Sequence, residues 1–156
     1  MMPNAPTLIR DATPEDHGFL VACATAMALE TEQRRLDPTR LAHGVRTLLA
    51  QPTHGFYLIA ERAGARVGTL MVTHEWSDWR GGDFYWIQSV YVVPAARRGG
   101  VYRALHEAVR ERARAAGAVG LRLYVEQDNT RAQRTYAALG MLRTAYAVFE
   151  QEFATP

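Results

Sequence analysis

Lysine is missing from this chain, cysteine occurs once, and no apolar run approaches the length of a membrane span. Each absence narrows the function. All 18 basic residues are arginine, set against 16 acidic ones for a formal net charge of +2. So small a surplus argues against a general polyanion binder, and an arginine-mediated nucleic-acid binder lacks the basic stripe it would need. The lysine deficit reads first as bias toward GC-rich codons. A single cysteine, Cys23, rules out an internal disulfide and a thiolate metal cluster. It shares helical spacing with Leu20, Ala24 and Met27, so it reads as a buried structural thiol. The histidines (His17, His43, His54, His74 and His106) are scattered without ligand spacing, and no metal site is legible. Met1 to Arg10 lacks the apolar core of a signal peptide, and a cytoplasmic protein is the expectation.

What is present suits one domain over residues 1–156, with 48% hydrophobic and 22% charged residues. Thr7 to Arg10 reads as a short strand. Thr13-Pro14-Glu15-Asp16 and Asp37-Pro38 are two helix starts, each with a capping residue followed by proline. Phe56 to Glu61 and Val67 to Thr73 read as strands joined by a hairpin loop, and Trp76 to Gly82 as a turn that carries two tryptophans. Asp83 to Val93 reads as a strand, followed by a helix whose apolar residues Val101, Leu105, Val109 and Ala113 recur at helical spacing. Leu121 to Val125 is a strand and Thr130 to Leu139 a helix stopped by Gly140. Met141 to Thr144 and Tyr146 to Phe153 alternate enough for two final strands. The expected fold is α/β of the α+β kind. It has a single mixed, mostly antiparallel sheet of about six or seven strands with a parallel central pair, flanked by about four helices.

The chemistry concentrates where the strand ending Val90-Tyr91-Val92 meets Pro94, then Arg97-Arg98-Gly99-Gly100-Val101-Tyr102-Arg103. A basic, glycine-rich turn that opens a helix suits phosphate: the first-turn N–H groups lack intrahelical partners and lie at the positive end of the dipole. Arginine adds bidentate geometry. The bland alternative is a helix start with solvated arginines.

These residues resemble the central motif of the GNAT acyltransferase superfamily. Asn129-Thr130-Arg131-Ala132-Gln133-Arg134-Thr135-Tyr136, closed by Gly140-Met141, is similar to that family's later motif. Tyr102 departs from the pattern, standing where a small residue is usual, and Met141 replaces the usual phenylalanine. The resemblance implies an acyl-CoA N-acyltransferase fold and an enzyme that moves an acetyl group from acetyl-CoA to a primary amine by direct attack in a ternary complex. It implies pantetheine along Val90, Tyr91 and Val92. The pyrophosphate would lie over Arg97, Arg98, Gly99, Gly100, Val101, Tyr102 and Arg103. Asn129 would hydrogen-bond the pantetheine arm, and Tyr136 would serve as general acid as well as touch the cofactor. No motif fixes the general base; Glu30 and Glu32 are the foremost candidates, with Glu75, Asp83 and His74 behind them. The partners implied are acetyl-CoA and an amine, small molecule or protein, without nucleic acid, membrane or metal. Trp76, Trp79, Tyr85 and Trp86 read as acceptor-pocket lining or a homodimer contact on one side, and core packing on the other. A catalytically idle acyl-CoA-binding regulatory module is the competing reading.

Overall fold

The computed structural model describes residues 5–154; Met1 to Asn4, part of the stretch read above for a signal peptide, and the last two residues lie outside them. Among the described residues no helix is long and apolar enough to cross a membrane. The chain divides into a larger unit, Met1–Leu123, and a smaller one, Tyr124–Pro156.

In the larger unit the runs rich in β-branched and aromatic residues become three long strands: β2 (Gly55–Arg62), β3 (Ala65–Ser77) and β4 (Gly82–Val92). The β2–β3 hairpin turns on Ala63 and Gly64, both at positive φ (+48° and +76°), the backbone of a primed turn. β3 is longer than expected, and β4 keeps its expected length shifted by one residue, from Gly82 to Val92. Trp76 and Ser77 still pair with Asp83 and Gly82, so the turn shrinks to residues 78–81. β1 (Leu8–Asp11) joins β2 antiparallel and β5 (Gly120–Arg122) joins β4 parallel, for the order β1-β2-β3-β4-β5.

The helices are α1 (His17–Glu32), α2 (Pro38–Ala50) and α3 (Val101–Ala115). The sheet's period-two alternation divides the core. Leu58, Ala60, Leu70 and Val72 pack with Val101, Leu105, Val109 and Ala113 of α3, while Ile59 packs with Leu20 of α1 and Val45 of α2. Strand, helix and strand in series give the parallel β4–β5 pair, as the crossover rule requires.

The helix start at Thr13 begins as a short 3-10 turn, Pro14–Asp16, ahead of α1. Asp16 is fully buried. Its carboxylate accepts from the Thr13 N–H (2.7 Å) and from Arg10 Nη1 and Nη2 (2.8 and 3.0 Å), and it pairs with Arg66 Nε at 2.6 Å. These bonds, the Arg10 guanidinium first, hold the carboxyl far below the usual carboxylate range.

The smaller unit holds α4 (Thr130–Ala138). Asn129 Oδ1 accepts from the Ala132 N–H at 3.1 Å, and Gly140 sits at φ +93° just beyond the helix. Residues 141–154 carry neither helix nor strand. The described residues therefore contain five strands, not six or seven, and the parallel pair lies at one side of the sheet, not at its centre. Alternation alone does not make a strand; each needs a neighbour for its backbone N–H and C=O groups. The side chains that suggested two more strands stand in solvent, Phe149 at 95% and Leu142 at 91% exposure among them.

Candidate active site

β4 carries an extra residue. Met71 faces Ser89 and Val72 faces Ile87, which leaves Gln88 as a bulge. Bulges bend a strand and re-aim its side chains. On its β3 side, β4 stays paired to its end, Val92 opposite Gly68. On its β5 side, pairing stops at Trp86 opposite Arg122. β5 ends there, so from Ile87 to Val92 β4 has no β5 residue opposite it. An extended ligand with its own amides would find alternating N–H and C=O groups along such an edge.

Directly after this edge, Pro94–Ala96 forms a 3-10 turn and the chain enters α3 through Gly100. Arg98 and Gly100 both have positive φ (+64° and +78°). Left-handed residues alternating this closely turn backbone N–H groups toward one side, a concavity suited to anions. Gly100 brings no capping side chain to the first-turn N–H groups of α3. Arg97, Arg98, Gly99, Gly100 and Arg103 are exposed, and Val101 is buried beneath them. Arg103 pairs along the helix with Glu107 at 3.4 Å. The Tyr102 hydroxyl lies 3.5 Å from His106 Nδ1, one helical turn onward. The unusual tyrosine thus runs along the helix side.

Sequence reasoning missed a basic neighbour of this turn. Arg62, at the end of β2, donates from Nη2 to the Gly99 carbonyl and from Nε to Thr7 Oγ1 (2.8 Å). A side chain at position 99 would run into its guanidinium. In the sequence Arg62 belongs to the loop expected between Glu61 and Val67, and nothing local relates it to a residue 37 positions on.

Two groups expected to face ligands already hold each other. Arg97 Nη2 donates to Glu30 Oε2 at 2.7 Å, and Arg97 Nε to the Val92 carbonyl at 3.0 Å. The Tyr91 hydroxyl donates to Glu30 Oε1 at 2.9 Å, and the Arg97 guanidinium lies over the Tyr91 ring, 5.4 Å from its centroid. Arg97, and secondarily Tyr91, hold the Glu30 carboxyl below the usual carboxylate range. Burial, with Glu30 adding to it, raises the Tyr91 phenol. Glu32 stands exposed at the last position of α1. Elsewhere, Glu75 pairs with Arg122 at 2.5 Å and the His74 ring packs on Tyr85, 5.1 Å between centroids.

Between α1, α2 and the sheet lies a hollow of about 290 Å³. Cys23 and Met27 wall it from α1, Gly44 and Val45 from α2, and Tyr57, Thr69, Met71, Ser89 and Tyr91 from the sheet. Burial pushes the Cys23 thiol up to about 11, consistent with an inert structural cysteine. None of the aromatics Trp76, Trp79, Tyr85 and Trp86 lines this hollow; Trp76 and Tyr85 border a separate one of about 410 Å³ with His74 and Asp83. Trp79 is exposed, Trp86 half-buried and Tyr85 buried.

In the smaller unit, Ala132, Tyr136 and Leu139, at helical spacing, are half-buried on α4 and at its C-cap. Asn129 spends its Oδ1 on the helix cap.

The model of the Acetyltransferase (GNAT) family matches residues 15–141. The chain belongs to the GNAT family. A mycothiol acetyltransferase from Sanguibacter keddieii is 35% identical over 140 residues, 86% of this chain and 42% of that protein. The chain thus spans about two fifths of the length of this curated relative. A solved structure described as a possible acetyltransferase from Clostridium difficile 630 is 37% identical, with a TM-score of 0.88 over 96% of this chain and 99% of the other. An aminoglycoside N-acetyltransferase solved with CoA shares the fold at 16% identity, with a TM-score of 0.80 over 99% of each chain. The stretch from Val90 to Arg103, which resembles the family's central motif, falls on the end of β4 that β5 does not cover and on the uncapped start of α3.

Proposed function

We propose that this GNAT protein transfers the acetyl group of acetyl-CoA to a primary amine by direct attack in a ternary complex. The observation that carries the reading is the end of β4–β5 pairing at Trp86, which leaves the last residues of β4 without a β5 partner ahead of an uncapped helix start flanked by arginines. In this reading the pantetheine amides pair along Val90, Tyr91 and Val92. The pyrophosphate lies on the N–H groups of residues 98–103, with Arg97, Arg98, Arg103 and Arg62 supplying positive charge. Asn129, its oxygen committed to the cap, offers its amide nitrogen to a pantetheine carbonyl.

The amine nitrogen bonds to the thioester carbonyl carbon, and a backbone N–H near Val90 supports the oxyanion. The nitrogen gives up the extra proton it carries after attack, the C–S bond breaks, and the departing thiolate takes a proton from the Tyr136 hydroxyl; the nitrogen's proton, passed through solvent, restores the phenol. The proton of the acceptor ammonium must leave first. Glu30 is the reading's choice over Glu32, because Tyr91 and Arg97 tie it to the β4 edge. While paired with Arg97 it is a poor base. Pyrophosphate competes for the same guanidinium, so cofactor binding would hand Glu30 back to the acceptor, with acetyl-CoA entering first.

The family match spans both units, which supports reading them as one domain. The exposed side chains of residues 142–153 support a homodimer in which they are covered. A cytoplasmic location, a metal-free reaction and the absence of nucleic-acid and membrane partners belong to the same proposal. Acetyl-CoA at saturating concentration should raise the melting temperature, since a ligand of the folded state stabilises it. Tyr136→Phe should cut kcat at least about tenfold while leaving acetyl-CoA affinity nearly intact. An unchanged kcat removes Tyr136 from the chemistry. Absence of both binding and CoA release over a panel of amines refutes the proposal, and binding without release favours the idle module.

A further inference from the structure

The hollow between α1, α2 and the sheet is unlike a site for a polar acceptor. Its lining contains no charged side chain and no histidine. Of its polar groups, the Thr69 hydroxyl already donates to the Leu58 carbonyl at 2.9 Å and the Tyr91 hydroxyl to Glu30. Of the lining hydroxyls only those of Tyr57 and Ser89 lie outside these bonds, too few to replace the water that a cationic or heavily hydroxylated body would lose there. Met27 and Met71 contribute long, polarizable side chains that adapt to an apolar guest.

The hollow also reaches the reacting strand. Ser89 and Tyr91 line it, whereas Val90 and Val92, pointing the other way, pack toward the α3 core. A guest here therefore lies against β4 on either side of Val90. At the Tyr91 edge stands the Glu30 carboxylate, 2.9 Å from the phenol oxygen. One end of the hollow thus offers negative charge and the rest offers apolar wall.

We propose that this hollow holds the apolar body of the acceptor, and that the acceptor is a small hydrophobic primary amine whose ammonium is drawn to Glu30 and Tyr91. The proposal rests on the acetyl-transfer reading and adds the substrate class to it. Size agrees: a dry cavity of about 150 Å³ takes a benzene ring, and about 290 Å³ is available. A phenyl or indole ring on a short linker fits that space.

Gly44 makes the test clean. It lies within α2, and a Cβ built on it meets no heavy atom within 4 Å. Gly44→Leu therefore places a bulky side chain at the α2 wall of the hollow with no clash at Cβ, and Gly44→Ala serves as a smaller step. Initial rates of CoA release are measured with phenethylamine, tryptamine, ethylamine and spermidine, alongside direct calorimetric binding of phenethylamine. Burying a phenyl-sized group gives phenethylamine about a 10- to 100-fold higher kcat/KM than ethylamine, and it outpaces spermidine as well. In Gly44→Leu that preference collapses at least about tenfold and phenethylamine binding weakens in step, while acetyl-CoA affinity is held. Gly44→Ala falls between. Spermidine or ethylamine serving as well as phenethylamine overturns the proposal, as does a preference unmoved by filling the hollow. Failure of acetyl-CoA to bind strikes the acetyl-transfer reading instead. Calorimetry with phenethylamine then still decides whether the hollow takes a hydrophobic amine, and no binding overturns that too.

Discussion

Glu30→Gln should move two measurements in opposite directions. In the ligand-free protein Arg97 is held by Glu30 at 2.7 Å, with the two side chains 40% and 42% exposed. If Arg97 must leave Glu30 to meet the pyrophosphate, the strength of that pair is subtracted from acetyl-CoA binding. A half-exposed ion pair is worth about 0.2 to 1 kcal/mol. Removing its charge should therefore tighten acetyl-CoA binding about 1.4- to 5-fold, since 1.4 kcal/mol is a factor of ten. Gln can still accept from Tyr91 and Arg97 through its amide oxygen, which favours the lower end of that range. Meanwhile kcat/KM for the amine should fall, because the carboxylate that draws in the ammonium is gone. Titration calorimetry at low salt, with screening kept weak, reads the first effect, and steady-state rates read the second. pH supplies a sign check. Glu30 titrates below the usual carboxylate range, so the pair is intact above about pH 4.5. It is lost as pH falls through the lowered folded value. Wild-type affinity should therefore approach that of the variant in acid while the two differ at pH 7. Equal or weaker binding by Glu30→Gln at pH 7 would refute the exchange.

Two further perturbations probe the scaffold. Asp16→Asn leaves Arg10 and Arg66 without their buried carboxylate; both arginines are more than a third exposed and can rehydrate, so the cost should be about 2 to 3 kcal/mol, discounted from the full buried-pair penalty. That lowers the melting temperature by about 4 to 12 °C at pH 7. Because the Asp16 pKa is depressed by folding, its stabilisation is present above the unfolded value near 3.9 and fades below it; a thermal-melt gap that is the same at pH 3 and pH 7 would count against the Arg10–Asp16 assignment. Gly100→Ala meets no steric obstacle but must adopt φ +78°, so it should lose about 1 to 2 kcal/mol of stability and weaken acetyl-CoA binding. Thermal melts and calorimetry check both, and an unaltered affinity would move the pyrophosphate away from this turn.

The local signals reported on local geometry. Asp37-Pro38 and Asn129 mark helix starts because a side-chain oxygen can reach an N–H three residues on, and both do. The strand, glycine turn and helix from Trp86 to Ala116 form as read, because that motif is built from neighbours in sequence. Asp16 shows the limit: its start signal is present, but Arg10 and Arg66 arrive from other strands and bury it. The alternation in residues 141–153 failed for a related reason, since a strand exists only with a partner.

The sequence by itself determined the family, the glycine turn that opens α3 and the short helix that carries Tyr136, because each is encoded by residue type at fixed short spacing. Only the tertiary structure decided that Arg97 is held by a carboxylate 67 positions away, that Arg62 reaches Gly99, and that α1 and α2 leave an uncharged hollow against Ser89 and Tyr91. Those features depend on which faces of distant elements meet, and chain folding sets that through the packing of the whole sheet, not through any local pattern.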